Sequence, residues 1–136
     1  MNHTTYMDDK FIHIYHDNDK HFTYAIWKAW ANEEQYKLAI DMELKAVQES
    51  GSEYIIVDIR GFKGTTPAAQ KYTTEVVMPK LYHKTKLKKI AYIVGESIFA
   101  NFTLTSIRKE IDKEAYLQTN AFTSLEEAEA WLLKTT

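Results

Sequence analysis

Residues 55–70 carry the densest group of side chains whose types could do chemistry. The stretch reads IIVDIRGFKGTTPAAQ, and its polar members lie where an apolar run gives way to a turn: Asp58, Arg60, Lys63, Thr65 and Thr66. Cationic side chains next to the free amides of a helix start can hold an anion. The threonine hydroxyls are also acceptors for phosphorylation. The stretch therefore raises three hypotheses: an active site, a phosphorylation switch, or a strand-to-helix corner.

The same residues also have structural explanations. An aspartate after a strand can accept hydrogen bonds from loop amides, and a threonine before Pro67 can cap a helix. No histidine or cysteine lies nearby in the sequence, and GFKG is far short of a phosphate-binding P-loop. The stretch lacks a nucleophile with a base, so we predict no catalytic residue, no cofactor and no enzymatic activity.

The histidines do not have the spacing of a known metal site. The segment HIYH contains His13 and His16, but positions three apart on a strand point to opposite faces. His16 and His21 flank a polar turn and are close enough in the chain to approach each other. A surface turn explains them as well, and we predict no metal site.

Composition limits the class of protein. The chain has 136 residues, no cysteine and a net charge of −2 with neutral histidines. This length fits one domain over residues 1–136, and the charge argues against a nucleic-acid binder, which carries a positive excess. No apolar run approaches the ~20 residues that cross a bilayer, and no secretory pattern opens the chain. We expect a cytoplasmic protein without stable membrane insertion.

Apolar spacing and capping residues predict an α/β fold. A hairpin of two aromatic-rich strands comes first, and strands then alternate with helices. The predicted strands cover 11–15, 21–27, 54–59, 89–94 and 115–119. The predicted helices cover 33–50, a segment from Thr66-Pro67 that Pro79 kinks or ends, a segment from Ser97, and a segment after the capping pair Thr123 and Glu126. This order predicts a five-stranded mixed sheet with about four helices, and residues 1–9 as a loosely ordered N-terminus.

Three stretches make the chain similar to a known group of proteins: YIIVDIRGFKGTTPAAQ, KKIAYIVGESIFANF and AFTSLEEAEAWLL. They resemble the SpoIIAA-like STAS/SEC14 (CRAL-TRIO-like) family of small bacterial proteins, related in fold to anti-sigma-factor antagonists. The resemblance implies a STAS fold for a single domain. In antagonists that switch by phosphorylation, the modified residue lies where Thr65 and Thr66 stand. The usual Asp-Ser-Ser-Gly sequence is absent, and Arg-Gly-Phe-Lys-Gly stands there instead.

The resemblance and the loop together suggest a non-enzymatic binding or regulatory module that acts through protein–protein contacts. We expect the loop from Arg60 to Thr66 to be its most functional surface, with Phe62 as an exposed apolar anchor and Lys63 adding positive charge. The partner would be another protein or a second copy of the chain. SEC14-type relatives imply the alternative, a small apolar or lipid-like ligand. Trp30 is open to two interpretations, an exposed interface residue or a bridge between sheet and helix.

Overall fold

A six-stranded sheet forms the centre of the part of the chain that the computed structural model describes, residues 2–96 and 117–134. Its strands lie side by side in chain order: β1 (His3–Asp8), β2 (Ile12–Asp17), β3 (Phe22–Trp27), β4 (Tyr54–Asp58), β5 (Lys89–Ile93) and β6 (Gln118–Phe122). The pairs β1–β2 and β2–β3 are antiparallel, and β3 to β6 run parallel to one another. The carboxyl ends of four strands therefore meet along one edge, where α/β proteins usually place their sites.

The central strands form because their residues are apolar on both faces. In β4 the last four residues are buried, and β5 is buried at four of five positions. In β3 the two faces differ: Ala25 and Trp27 pack under one helical layer, while Phe22 and Tyr24 pack with the final helix. A helix-covered parallel strand needs apolar residues on both sides, which explains the nearly continuous run.

The first helix, α1 (Glu33–Ser50), begins and ends as its sequence predicts. The Asn32 side chain accepts from the amide of Gln35, the Gln35 side chain accepts from the amide of Asn32, and Gly51 ends the helix with φ 66°. The capping box and the left-handed glycine satisfy backbone groups that the helix leaves free.

The second helical segment continues through a proline. It consists of α2 (Pro67–Tyr72), a π-helical turn (Thr73–Val77) and α3 (Met78–His83). The sequence predicted that Pro79 kinks or ends the helix, because proline has no amide donor. The chain passes Pro79 by widening into the π turn, in which the amide of Met78 donates to the carbonyl of Thr73.

The helices lie on both faces of the sheet. The larger apolar cluster lies between α1 and β2, β3, β4 and β5, and residues of α2, the π turn and α3 pack against it. The final helix, α4 (Leu125–Leu132), covers the other face with Ala128 and Leu132 against Phe22, Ile56 and Ile93. Among the described residues, no helix combines the length and the apolarity that a membrane span requires.

The structure corrects the strand count. Residues 2–96 and 117–134 contain six strands rather than five, because His3–Asp8 pairs with β2 in the segment that the sequence predicts to be loosely ordered. The segment has only two partly buried apolar residues, Tyr6 and Met7, and no alternating pattern. Pairing with β2, rather than its own composition, makes it a strand, and pairing is invisible in a local pattern.

Two boundaries near the C-terminus also differ. The last strand covers Gln118–Phe122 rather than 115–119, and the cap of α4 is Ser124 with Glu127 rather than Thr123 with Glu126. The described residues contain three helical segments rather than four, since the helix predicted from Ser97 lies outside them. The neighbouring Ser and Thr offer two equivalent capping frames, and packing selects one of them.

Lys89 holds the end of α4 to the sheet. Its ammonium donates to the carbonyl oxygens of Trp131, Leu132 and Lys134, at 3.1, 3.4 and 2.7 Å. The rings of Tyr54 and Trp131 flank it at 5.9 and 5.1 Å. A buried cation at the negative end of a helix is stabilised both by the free carbonyls and by the helix dipole.

Replacing this lysine should therefore loosen α4. We expect Lys89→Met to lower the free energy of unfolding by about 1–3 kcal/mol, because it removes charge-assisted bonds to three carbonyls at the end of the helix. The control is Lys88→Met, which removes an exposed pair with Glu53 at 3.1 Å and should cost at most about 1 kcal/mol. Urea unfolding measures both. Equal midpoints for the two variants would contradict this role.

Candidate functional site

An ion pair fixes the chain where β4 ends. Asp58 Oδ1 accepts from the backbone amide and from Nε of Arg60, at 3.1 and 3.0 Å, and Oδ2 accepts from the terminal guanidinium nitrogen at 2.7 Å. Asp58 is buried, and half of the Arg60 side chain is exposed. The pairing raises the pKa of Arg60, chiefly through its hydrogen bond to Asp58. Arg60 is therefore an anchored, partly neutralised cation and not a free one.

The loop that follows packs tightly on its neighbour. A Cβ on Gly61 would lie 2.9 Å from the carbonyl oxygen of Trp27, so only glycine lets the two backbones approach this closely. Further along, the carbonyl of Gly64 accepts from the amide of Ala31 at 3.1 Å. The loops after β3 and β4 are thus joined into one structure at the carboxyl ends of the two strands.

Trp30 is the exposed aromatic of this joined structure. Half of its surface (51%) is accessible, and its indole lies beside Gly64, with Cδ1 3.7 Å from where a Cβ on that residue would be. Lys63, the residue before Gly64, is exposed and has no ion pair with any residue of the described ranges. We call Trp30, Arg60 and Lys63 the loop surface.

Phe62 differs from its predicted place. It is half-buried rather than exposed, and its ring packs edge-on against Trp27 at 5.2 Å and near Tyr36 at 6.1 Å. Phe62 therefore attaches the loop to the core. The sequence identified the need for an aromatic anchor here but assigned it to Phe62, whereas the exposed ring belongs to Trp30.

The two threonines have different environments. Thr66 caps α2, and its hydroxyl accepts from the amide of Ala69 at 3.2 Å. The hydroxyl of Thr65 is buried and has no hydrogen-bond partner among the described residues. A modifying enzyme would have to open the loop to reach Thr65, so phosphorylation at this corner remains a prediction that favours Thr66.

The sequence reading missed Glu43, a buried carboxyl beneath the loop. Only 9% of the surface of Glu43 is accessible, and one of its carboxylate oxygens has no partner among the described residues. The carboxyl group interacts with the side chain of Trp27 through a hydrogen bond. Burial raises the pKa of Glu43 to about 8, and the bond to Trp27 opposes this shift. A signal was available: Glu43 follows Tyr36 and Ile40 at helical spacing, so it falls on the inner face of α1.

Glu43 is linked to the loop through aromatic rings. Trp27 stacks on Tyr36 at 5.0 Å and contacts Phe62, and the Tyr36 side chain hydrogen-bonds with Thr73 in the π turn. The carboxyl, the loop and the π turn therefore share one packed layer between α1 and the sheet.

Comparison with known proteins supports the fold but assigns no function. No family model matches the chain, and no curated protein matches it. A solved structure does: an uncharacterised protein of the DUF3478 family with a SpoIIAA-like fold, from Shewanella loihica PV-4. The identity is 18%, the match covers 93% of this chain and 98% of that one, and the TM-score is 0.56. The chain has a SpoIIAA-like α/β fold, and the comparisons do not support the likeness to SEC14-type proteins.

A substitution at Gly61 tests the close approach of the two loops. We expect Gly61→Ala to destabilise the protein by about 1–3 kcal/mol, because the added methyl would push the Trp27 and Lys28 backbone away. Gly95→Ala is the matched control: among the described residues, no atom outside its chain neighbours lies within 4 Å of where a Cβ would be, so its effect should stay within about 0.5 kcal/mol. Thermal unfolding compares them, and two equally small effects would show that the loops are not in contact.

Glu43 should make stability depend on pH. The unfolded chain ionises this carboxyl above its ordinary value of 4.5, but the folded chain does so only above about 8. Between these values the unfolded state binds fewer protons, so stability falls as pH rises, by at most about 1.4 kcal/mol per pH unit. Glu43→Gln should remove this decrease, and the exposed Glu34→Gln should keep it. Urea unfolding from pH 5 to 8 measures both; parallel decreases in wild type and Glu43→Gln would be inconsistent with a neutral buried carboxyl.

Proposed function

We propose that this protein is a non-enzymatic binding or regulatory module whose loop surface contacts an acidic segment of a protein partner. The observation that carries the proposal is the exposed Trp30 beside Gly64, together with the exposed Lys63 that precedes Gly64, on a loop that the fold holds in place. Interfaces often combine a rigid aromatic with a cation at their centre. The SpoIIAA-like fold is compatible with this role, although fold alone does not assign it.

The loop is arranged in advance of binding. Asp58 fixes Arg60, Gly61 lies against the β3 end, and the amide of Phe62 donates to the carbonyl of Ile59 at 3.1 Å. A surface that is already ordered loses less conformational entropy when a partner binds. The arrangement supports a contact surface more than a catalytic one, because both oxygens of Asp58 are already bonded to Arg60.

The positive charge of the loop surface indicates that the partner segment is acidic. Lys63 has no carboxylate partner in the described ranges, and Arg60 keeps half of its side chain exposed despite its pairing with Asp58. A carboxylate or a phosphorylated side chain of the partner would gain charge-assisted hydrogen bonds from these groups. A phosphate on Thr66 of this chain would compete for the same cations, which would make it a negative regulator of the contact.

The experiment is affinity capture from the native cell with two baits. Wild type and Trp30→Ala/Lys63→Ala are compared, and we expect the double variant to lose a partner that wild type retains. The contact should weaken at high salt, because exposed charge pairs are screened. The matched control is Leu38→Ala/Lys45→Ala, which removes an exposed leucine and a lysine from the outer face of α1.

The result that rejects the proposal is equal recovery of the same partners by wild type and the loop variant. Loss of the partner with the α1 control but not with the loop variant would place the contact surface on the helix.

The second function suggested by the sequence, binding of a small apolar ligand, stays a prediction. Native mass spectrometry tests it, since a ligand held in the core would survive desalting.

A further inference from the structure

A pocket of about 390 Å³ opens at the end of the sheet opposite to the loop surface. It lies between the turn that joins β2 to β3 and the connection from α1 to β4. Its lining residues are His16, Lys20, His21, Ser50, Gly51, Ser52, Glu53 and Tyr54. The volume falls in the range of sites for small organic molecules. Nothing in the proposed function uses this pocket.

The side chain of His16 is buried in the wall of the pocket rather than exposed at the protein surface. It lies on β2 directly opposite Thr23 of β3, only 4% of its surface is accessible, and its Nδ1 is 2.9 Å from the Thr23 hydroxyl. Thr23 is fully buried, and this ring nitrogen is its hydrogen-bond partner. A buried hydroxyl proton needs an acceptor, so the satisfying arrangement has Thr23 donating to Nδ1.

That arrangement fixes the tautomer of His16. With Nδ1 as acceptor, the proton of the neutral ring is on Nε2, which makes Nε2 the donor that remains for the pocket. Burial lowers the pKa of His16, the nearby His21 lowers it further, and Asp17 opposes the shift. His16 is therefore a neutral N–H donor in an oriented ring near neutral pH.

The neighbouring groups add donors and positive charge. His21 takes the left-handed conformation, with φ 62°, and its amide is fixed by the carbonyl of Asp17 at 2.8 Å. Lys20 reaches the pocket while pairing with Glu129 of α4 at 3.3 Å. The acidic residue of the wall, Glu53, is engaged by Lys88 at 3.1 Å.

We infer that this pocket binds a small organic molecule through an anionic oxygen group, a carboxylate or a phosphate monoester. Nε2 of His16 and the ring of His21 donate to the anion, and Lys20 adds charge as it turns from Glu129. The Ser50 hydroxyl and the Tyr54 side chain line the rest of the pocket, where the uncharged part of the ligand would lie.

The charged groups near His16 are held by partners of their own. Asp17 lies next to it on β2, Lys20 and His21 on the turn, and Glu53 across the pocket. Asp17 accepts from the amides of Asp19 and Lys20 and lies 3.8 Å from Nε2 of His3, and Glu53 pairs with Lys88 at 3.1 Å. Neither carboxylate is therefore left unpartnered at the pocket.

The test is a titration of the full chain with glycerol 3-phosphate, lactate and glycerol, followed by NMR of the histidine ring nitrogens. Glycerol 3-phosphate and lactate distinguish the two anionic groups, and glycerol is the uncharged control. We expect at least one anion to shift the His16 and His21 signals. Absence of shifts with both anions, or equal shifts with glycerol, would overturn the inference.

Variants locate the binding. His21→Asn keeps a residue that tolerates the left-handed conformation and should weaken binding about tenfold, the value of one lost charge-assisted bond. His16→Gln should weaken it as well, and if this buried change unfolds the chain, His21→Asn decides alone. The control is His13→Asn, which changes the opposite face of β2 and should leave affinity unchanged. An unaltered affinity in His21→Asn would overturn the assignment.

Discussion

The ion pair of Asp58 with Arg60 is the constraint on which the candidate site depends. It joins residues two apart, so it turns the chain sharply just beyond β4 and holds the turn with three hydrogen bonds. The turn then presses Gly61 against the Trp27 carbonyl and brings Gly64 to the amide of Ala31. Without it, the loop would lose the support that holds Gly64 beside Trp30.

Three buried polar side chains give the rest of the fold its specificity. Glu43 lies under the loop, Lys89 holds the last helix, and His16 orients toward a pocket at the far end of the sheet. Each is costly to bury unless it is neutral or bonded. Lys89 is bonded to carbonyls, Glu43 is neutral near pH 7, and His16 is both neutral and bonded. The two ends of the sheet therefore carry separate chemistry: a cationic, aromatic surface at one end and a histidine pocket at the other.

Local signals predicted much of this fold, and long-range packing decided the rest. The capping box at Asn32, the stop at Gly51 and the apolar run of β4 are encoded within a few residues, so α1 and β4 were predicted almost to the residue. Strand β1 depends on pairing, and the ends of β6 depend on register, which no local pattern contains. The loop was found from the sequence, but which of Phe62 and Trp30 faces outward depends on how two loops pack together.

Amide hydrogen exchange across residues 59–66 tests the central claim most directly, that this loop is a preformed surface held by Asp58. In wild type, the amides of Arg60 and Phe62 should exchange slowly, because they are bonded to Asp58 and to the Ile59 carbonyl. In Asp58→Ala, both should exchange faster while α1 and β4 stay protected. Equal exchange in the two proteins, or an unprotected loop in wild type, would contradict a preformed surface.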